Sequence, residues 1–155
     1  MTAAFDASRV DNSTALVDVF GYWPSFHDAE VLAVRLDRSG ISGGPELEVD
    51  VHVFEMTSTV TPEGFYELRH HTFVTLRFEG VDELSLEGFN NQNALMGLQI
   101  EDISSRQLEF LKWEVNLDAA YGRDASFLCR AITVASVKPF TPSRSRPQSS
   151  PRPEP

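Results

Sequence analysis

Glu46-Leu47-Glu48-Val49-Asp50-Val51-His52-Val53 is the stretch that decides the fold. Its apolar side chains occupy every second position, Leu47, Val49, Val51 and Val53, and Glu48, Asp50 and His52 fill the alternate ones. A period of two belongs to a β-strand with one face on a core and the other in water, because successive side chains point to opposite sides of a sheet. The same alternation recurs on either side. Upstream, residues 29–36 read as a strand with Leu32, Val34 and Leu36 on one face, and residues 39–45 supply a Gly- and Ser-rich turn. Downstream, Val74, Leu76 and Phe78 alternate within residues 73–78, and Leu84-Ser85-Leu86 makes a short strand. After a polar turn at 88–93, residues 95–103 are extended, Leu111, Trp113, Val115 and Leu117 mark a sixth strand, and residues 127–137 form the last and longest. Between Met56 and His71 the alternation is broken, so this run is expected to be a long hairpin connection or a mobile finger.

One segment has a different period. Ser13 is placed to cap a short helix running to about Phe20, with Leu16, Val17 and Phe20 on one side and Gly21 ending it. Connections this short join antiparallel neighbours rather than βαβ crossovers. The predicted architecture is therefore α+β with β dominant: a curved antiparallel sheet of about six or seven strands and one short N-terminal helix. A chain of 155 residues is one domain's worth. Residues 1–138 are expected to form a single domain. Residues 139–155, rich in Pro, Ser and Arg without apolar periodicity, are expected to be a disordered tail.

Charge narrows the partners. The chain carries 23 acidic and 13 basic residues, a net charge of -10, and the last 17 residues are themselves net +2 through Arg144, Arg146 and Arg152 against Glu154. A body this acidic repels phosphate backbones, which argues against direct nucleic-acid binding and for a basic partner. The first residues lack a basic start followed by an apolar run, and no segment reaches the roughly 18 to 20 apolar residues of a membrane span. Cys129 is the single cysteine, so no internal disulfide is possible and a cytoplasmic setting is expected. Within the strand-like run 127–134, Cys129 reads as a small core hydrophobe rather than a nucleophile.

The chemistry-bearing residues fall into two groups. Phe20-Gly21-Tyr22-Trp23-Pro24-Ser25-Phe26-His27-Asp28-Ala29-Glu30-Val31 sets four aromatics and a Pro stop before an H-D-x-E cluster. His27, Asp28 and Glu30 are the ligand types of a zinc or iron site. Neighbouring strand residues diverge, however, and only Asp28 and Glu30 would share a face. The structural reading is that Asp28 bonds the backbone of the Trp23 to Phe26 turn and His27 packs on it. Glu48, Asp50 and His52 form an E-x-D-x-H row whose members lie about 6 to 7 Å apart, too straight for all three to reach one ion. That row reads as a solvated acidic face suited to steering a basic partner. His70 and His71 read as polar residues at a loop end. Nothing matches a phosphate cradle, a nucleophile elbow, H-E-x-x-H or paired cysteines. No catalytic, cofactor or metal residue is assigned.

Taken in order, the Phe20 to Val31 stretch, Leu76-Arg77-Phe78-Glu79-Gly80-Val81, Gly88-Phe89-Asn90-Asn91-Gln92-Asn93, Trp113-Glu114-Val115 and residues 122–129 resemble the immunity protein 50 family, over roughly residues 18 to 139. The resemblance implies a small cytosolic protein of a bacterial polymorphic-toxin system that protects the producing cell by binding a cognate toxin domain stoichiometrically. It places the family's Trp-Pro and His-Asp-x-Glu positions at Trp23, Pro24, His27, Asp28 and Glu30. With the acidic row added, the candidate partner-binding residues are Trp23, His27, Asp28, Glu30, Glu48, Asp50 and His52. A nuclease with a basic cleft is the toxin class that suits an acidic inhibitor. Two other readings stand beside this one: a metal-dependent enzyme using His27, Asp28 and Glu30, with or without His52, and a non-catalytic structural adaptor.

Overall fold

Leu47, Val49, Val51 and Val53 are each 1% exposed or less, so the alternation in residues 46–53 does mark a core-facing strand. The computed structural model describes residues 5–40, 44–87, 94–119 and 124–140. Among these residues are one α-helix, α1 (Ser13–Phe20), and eight strands. In chain order the strands are β1 (Glu30–Asp37), β2 (Glu46–Val60), β3 (Tyr66–Glu79), β4 (Asp82–Leu86), β5 (Leu95–Asp102), β6 (Trp113–Ala119), β7 (Asp124–Cys129) and β8 (Ala131–Pro139). They form two antiparallel sheets, ordered β1-β2-β3-β8 and β4-β7-β6-β5.

The fold class is as predicted; the single curved sheet is instead two sheets. They part at Arg130, where the expected strand 127–137 divides into β7 and β8. The Cys129 carbonyl accepts from the Lys112 amide at 2.9 Å in the second sheet, and the next amide, that of Arg130, donates to the Glu79 carbonyl at 2.8 Å in the first. A strand that changes sheets at a bend makes the corner of such a fold. Between the sheets lies one apolar cluster. Phe78 of the first and Phe127 of the second meet edge to face with centroids 4.9 Å apart, and α1 adds Leu16 and Phe20. Each fully buried Val or Leu contributes about 1.5–3 kcal/mol relative to exposure, so this cluster outweighs the surface ion pairs in holding the fold.

Two local readings are corrected, and a third is decided between its two alternatives. Ser13 is the first helical residue rather than the cap; Asn12 holds the cap position at φ 62 and donates from Nδ2 to the Val134 carbonyl at 3.0 Å. Gly21 does end the helix, at φ 85, with its amide on the Val17 carbonyl. In β1 a register shift between Val31 and Ala33 breaks the alternation, so Val31 is buried while Leu32 is exposed, and Leu36 at the open end is exposed too. Residues 56–71 are a hairpin, built from the continued β2 and β3 with a turn over 61–65. Their period is lost to two more register shifts.

Ahead of α1, Asp11 bridges Thr133 and so covers the outer edge of β8. Among the described residues no helix is long and apolar enough to cross a membrane. The turn read at 88–93 and the tail from residue 141 lie outside the described residues. Pro139 closes β8, and the Phe140 amide donates to the His71 carbonyl at 3.0 Å.

Candidate functional site

The segment between α1 and β1 is the corner that ties the first sheet to the second. The Asp28 amide donates to the Leu95 carbonyl at 2.8 Å, the Leu95 amide donates to Ala29 at 2.8 Å, and Glu30 bridges Ala94. His27 contributes through its ring: Nδ1 donates to the Met96 carbonyl at 2.9 Å, which fixes the proton on Nδ1 because a carbonyl only accepts. The Ser25 hydroxyl accepts from the His27 amide at 3.1 Å. The role expected of the Asp28 carboxylate is thus taken by Ser25 and by the Asp28 amide. Its carboxylate is exposed, with Oδ2 3.7 Å from His27 Nε2. Phe26 and Asp28 both have positive φ, 64 and 68. Asp tolerates that conformation; Phe does so at a cost of about 1–2 kcal/mol. Phe26 is 2% exposed and packs 5.8 Å from Trp23, and burial worth about 1.5–3 kcal/mol offsets the strain.

Trp23 sits between Phe26 and Phe5, whose ring lies 5.7 Å away. With Phe20, Tyr22 and Phe54 it lines an aromatic groove of about 380 Å³, closed by residues 24–27 on one side and by Glu55 and Met56 on the other. Glu55 organises the rim: its carboxylate accepts from Tyr22 Oη at 3.0 Å and from Arg69 Nε at 3.1 Å, with His70 Nε2 at 3.5 Å. Arg69 holds the Glu55 carboxyl below its usual range, while desolvation and the Glu55 hydrogen bond push the Tyr22 phenol up.

On the outer face of the first sheet, the expected solvated row is bridged by arginines. Arg35 of β1 clasps Asp50 with Nη1 and Nη2 at 2.7 and 2.8 Å and reaches Glu48 at 3.1 Å; Arg77 of β3 donates from Nε to Glu48 at 3.0 Å. Thr75 donates to Asp50 at 2.7 Å. Asp50 is nearly buried, and Arg35 in the main, helped by Thr75, holds its carboxyl below the usual range. His52 belongs to a separate cluster. Its Nε2 is 3.0 Å from His71 Nδ1, and Phe140 stacks on it at 3.9 Å. Desolvation, then His71, lowers the His52 imidazole from its ordinary 6.5, against the pull of Glu30 across the strand pair.

The seven candidates therefore fall in three places: Trp23 and His27 at the groove with Asp28 beside His27, Glu48 and Asp50 in the bridged row, and His52 with Glu30 opposite it. Among the described residues no three His, Cys, Asp or Glu side chains gather to hold a metal ion. Cys129 is fully buried and its thiol is pushed up to about 12 by that burial, so it is not a nucleophile. Elsewhere on the surface a larger recess, about 790 Å³, is lined by residues 44–45, 80–82 and 108–111 and by Arg130.

The profile of one family, Immunity protein 50, matches residues 12–140, from the helix cap to the phenylalanine stacked on His52. The chain belongs to the Immunity protein 50 family. No curated protein sequence and no solved structure gives a significant match. In this Immunity protein 50 member the matched span holds α1, all eight strands, the corner and the groove. It also holds an acidic concentration missed in the sequence reading. Residues 82–129 carry nine acidic side chains against three basic ones. In the second sheet Glu101 pairs in register with Glu114. Like charges directly opposite each other lower sheet stability. Arg106 offsets part of this by pairing with Glu114 at 2.8 Å.

Proposed function

We propose that this Immunity protein 50 member is a stoichiometric inhibitor that binds the toxin domain of a bacterial polymorphic-toxin system in the cytoplasm of the producing cell. The observation that carries the reading is the family match over residues 12–140. The surface supports it physically. Aromatic groups that are held by packing but still reachable, such as Tyr22 beside Trp23, are the kind of anchors that dominate binding energy at protein interfaces. The net charge of -10 attracts a basic partner over distance and speeds encounter, which suits a nuclease with a basic cleft and disfavours direct nucleic-acid binding. Inhibition then follows from occupancy: the inhibitor covers the toxin's working surface and changes no covalent bond.

The metal-enzyme reading has little to stand on. His27 Nδ1 is engaged by the Met96 carbonyl, Nε2 lies 3.7 Å from the Asp28 carboxylate, and Glu30 is on the strand position opposite His52. The test is co-expression with candidate toxin domains, including any encoded next to the gene for this chain. Growth restored by the wild-type chain is the expected result; growth arrest that the chain does not relieve at high expression would overturn the proposal.

A further inference from the structure

Beyond Val53 and Thr72, β2 and β3 leave their sheet and continue as a two-stranded arm. β1 pairs with β2 no further than Glu30 opposite His52, and β8 pairs with β3 no further than Thr72 opposite Pro139. The arm has its own register, with Met56 opposite Leu68 and Val60 opposite Tyr66. The extra residues of the second register shift lie on the β2 side, so Tyr66 and Leu68, two apart on β3, share a face. Directly paired residues share a face as well. Met56, Leu68, Tyr66 and Val60 therefore make one apolar strip, and all four are exposed, at 48%, 38%, 56% and 59%. Phe65 at the turn is 72% exposed. An unpaired strand bearing apolar groups in water is an association hazard that proteins ordinarily blunt with charge or cover. Among the described residues no further strand pairs with either edge of the arm.

We propose that this strip is the docking surface for the toxin domain, and that the arm inserts its Phe65 end into a cleft rimmed by basic side chains; the inference rests on the immunity reading above. Three observations select that occupant. Met56 belongs both to the strip and to the lining of the aromatic groove that Tyr22 and Trp23 also line. Between Met56 and Leu68 the only charges are Glu63 and Glu67, both exposed, with no Lys or Arg. An apolar ridge edged by carboxylates complements an apolar cleft edged by cations, whereas a second copy of this acidic chain would set like charges against each other. Third, the base of the arm is fixed while its end is free: Glu55 gathers Tyr22, Arg69 and His70, and the His70 ring packs 5.9 Å from Phe20. A ridge held in this way loses less freedom on binding than a loose loop. Phe110, also exposed, sits at the larger recess among residues 108–111, away from this strip.

The test uses the full chain and, as probe, the purified toxin domain against which it protects cells in that co-expression, with dissociation constants measured by titration calorimetry. In the Val60→Thr, Phe65→Thr, Tyr66→Thr triple variant, threonine keeps strand propensity and removes the apolar contact. The melting temperature should match the wild type and the dissociation constant should rise about a hundredfold or more, as loss of central anchors does. Glu63→Lys with Glu67→Lys, at exposed positions that do not touch the core, should slow association at low salt, and Phe110→Ser should leave affinity unchanged. Triple-variant affinity within about threefold of wild type, or a loss confined to Phe110→Ser, would overturn the arm as docking element. Wild-type chain that fails to bind the probe at all would instead overturn the immunity reading. A wild-type dimer in sedimentation that the triple variant abolishes would assign the strip to a second copy and likewise contradict the proposal.

Discussion

Asp50 and His52, two residues apart on one strand, both make the folded protein bind fewer protons, for opposite reasons. Arg35 favours the Asp50 anion, so its carboxyl titrates below the ordinary 3.8; burial and His71 disfavour the His52 cation, so its imidazole titrates below 6.5. In each case the unfolded chain takes up the proton first as pH falls, and stability is lost with acid. The windows differ. Asp50's contribution is present above about 4 and is lost below it; His52's is present above about 6.5 and fades as pH falls toward the folded value. We predict that the melting temperature is flat from pH 8 to 7 and declines as pH falls below about 6.5, and that His52→Gln removes that decline. An unchanged slope in the variant would place the titrating group elsewhere. At constant pH 7, Asp50→Asn should cost about 1–2 kcal/mol in urea unfolding, since it weakens a two-pronged charged hydrogen bond at a nearly buried site. Glu48→Gln should cost less, under about 1 kcal/mol, because Glu48 is more exposed and solvent screens its pairs.

At the scale of the element, the corner from Phe20 to Glu30 works through backbone geometry. If Asp28 is there for its tolerance of φ 68 rather than for its carboxylate, Asp28→Gly should be neutral within about 0.5 kcal/mol, while Asp28→Val should lose about 1–2 kcal/mol. Equal losses from both would restore a role for the carboxylate. Much of this scale was legible in the sequence. The Leu47 to Val53 strand, the Gly21 helix stop and the core placement of Cys129 follow from period and residue type alone. The two-sheet division had a signal that went unread: the inward residues run Phe127, Cys129 and then Ile132, Val134, a change of phase at residues 130–131 that one continuous strand cannot make. The arginine bridges also had one, since Arg35 and Arg77 fall opposite Glu48 once the strands are paired. The β1 shift and the doubly shifted arm had none, because irregular pairing is decided by tertiary contacts and leaves period analysis with only a broken pattern. For the same reason the apolar strip of the arm emerges only when Val60 is set opposite Tyr66.

Across the whole molecule, the acidic excess and the apolar strip of the arm lie on different segments. On the outer face of the first sheet Glu48 and Asp50 carry their own counter-charges, while residues 82–129 keep an acidic excess, with exposed Met96 and Phe110 of their own, and the arm carries the exposed strip of Met56, Val60, Tyr66 and Leu68. Such a division predicts that the acidic excess governs encounter and the apolar surface governs lifetime. Glu101→Gln with Asp118→Asn should slow association with the toxin domain, lessen its dependence on salt, and leave the dissociation rate nearly unchanged; a change confined to dissociation would contradict this assignment. The central claim is that the chain acts by stoichiometric occupancy, and the most direct measurement is a titration of toxin activity at toxin concentrations well above the dissociation constant. Activity falling linearly to zero at a fixed molar ratio, independent of incubation time, is the predicted result. Inactivation that continues with time at substoichiometric amounts of the chain would show turnover and contradict the account.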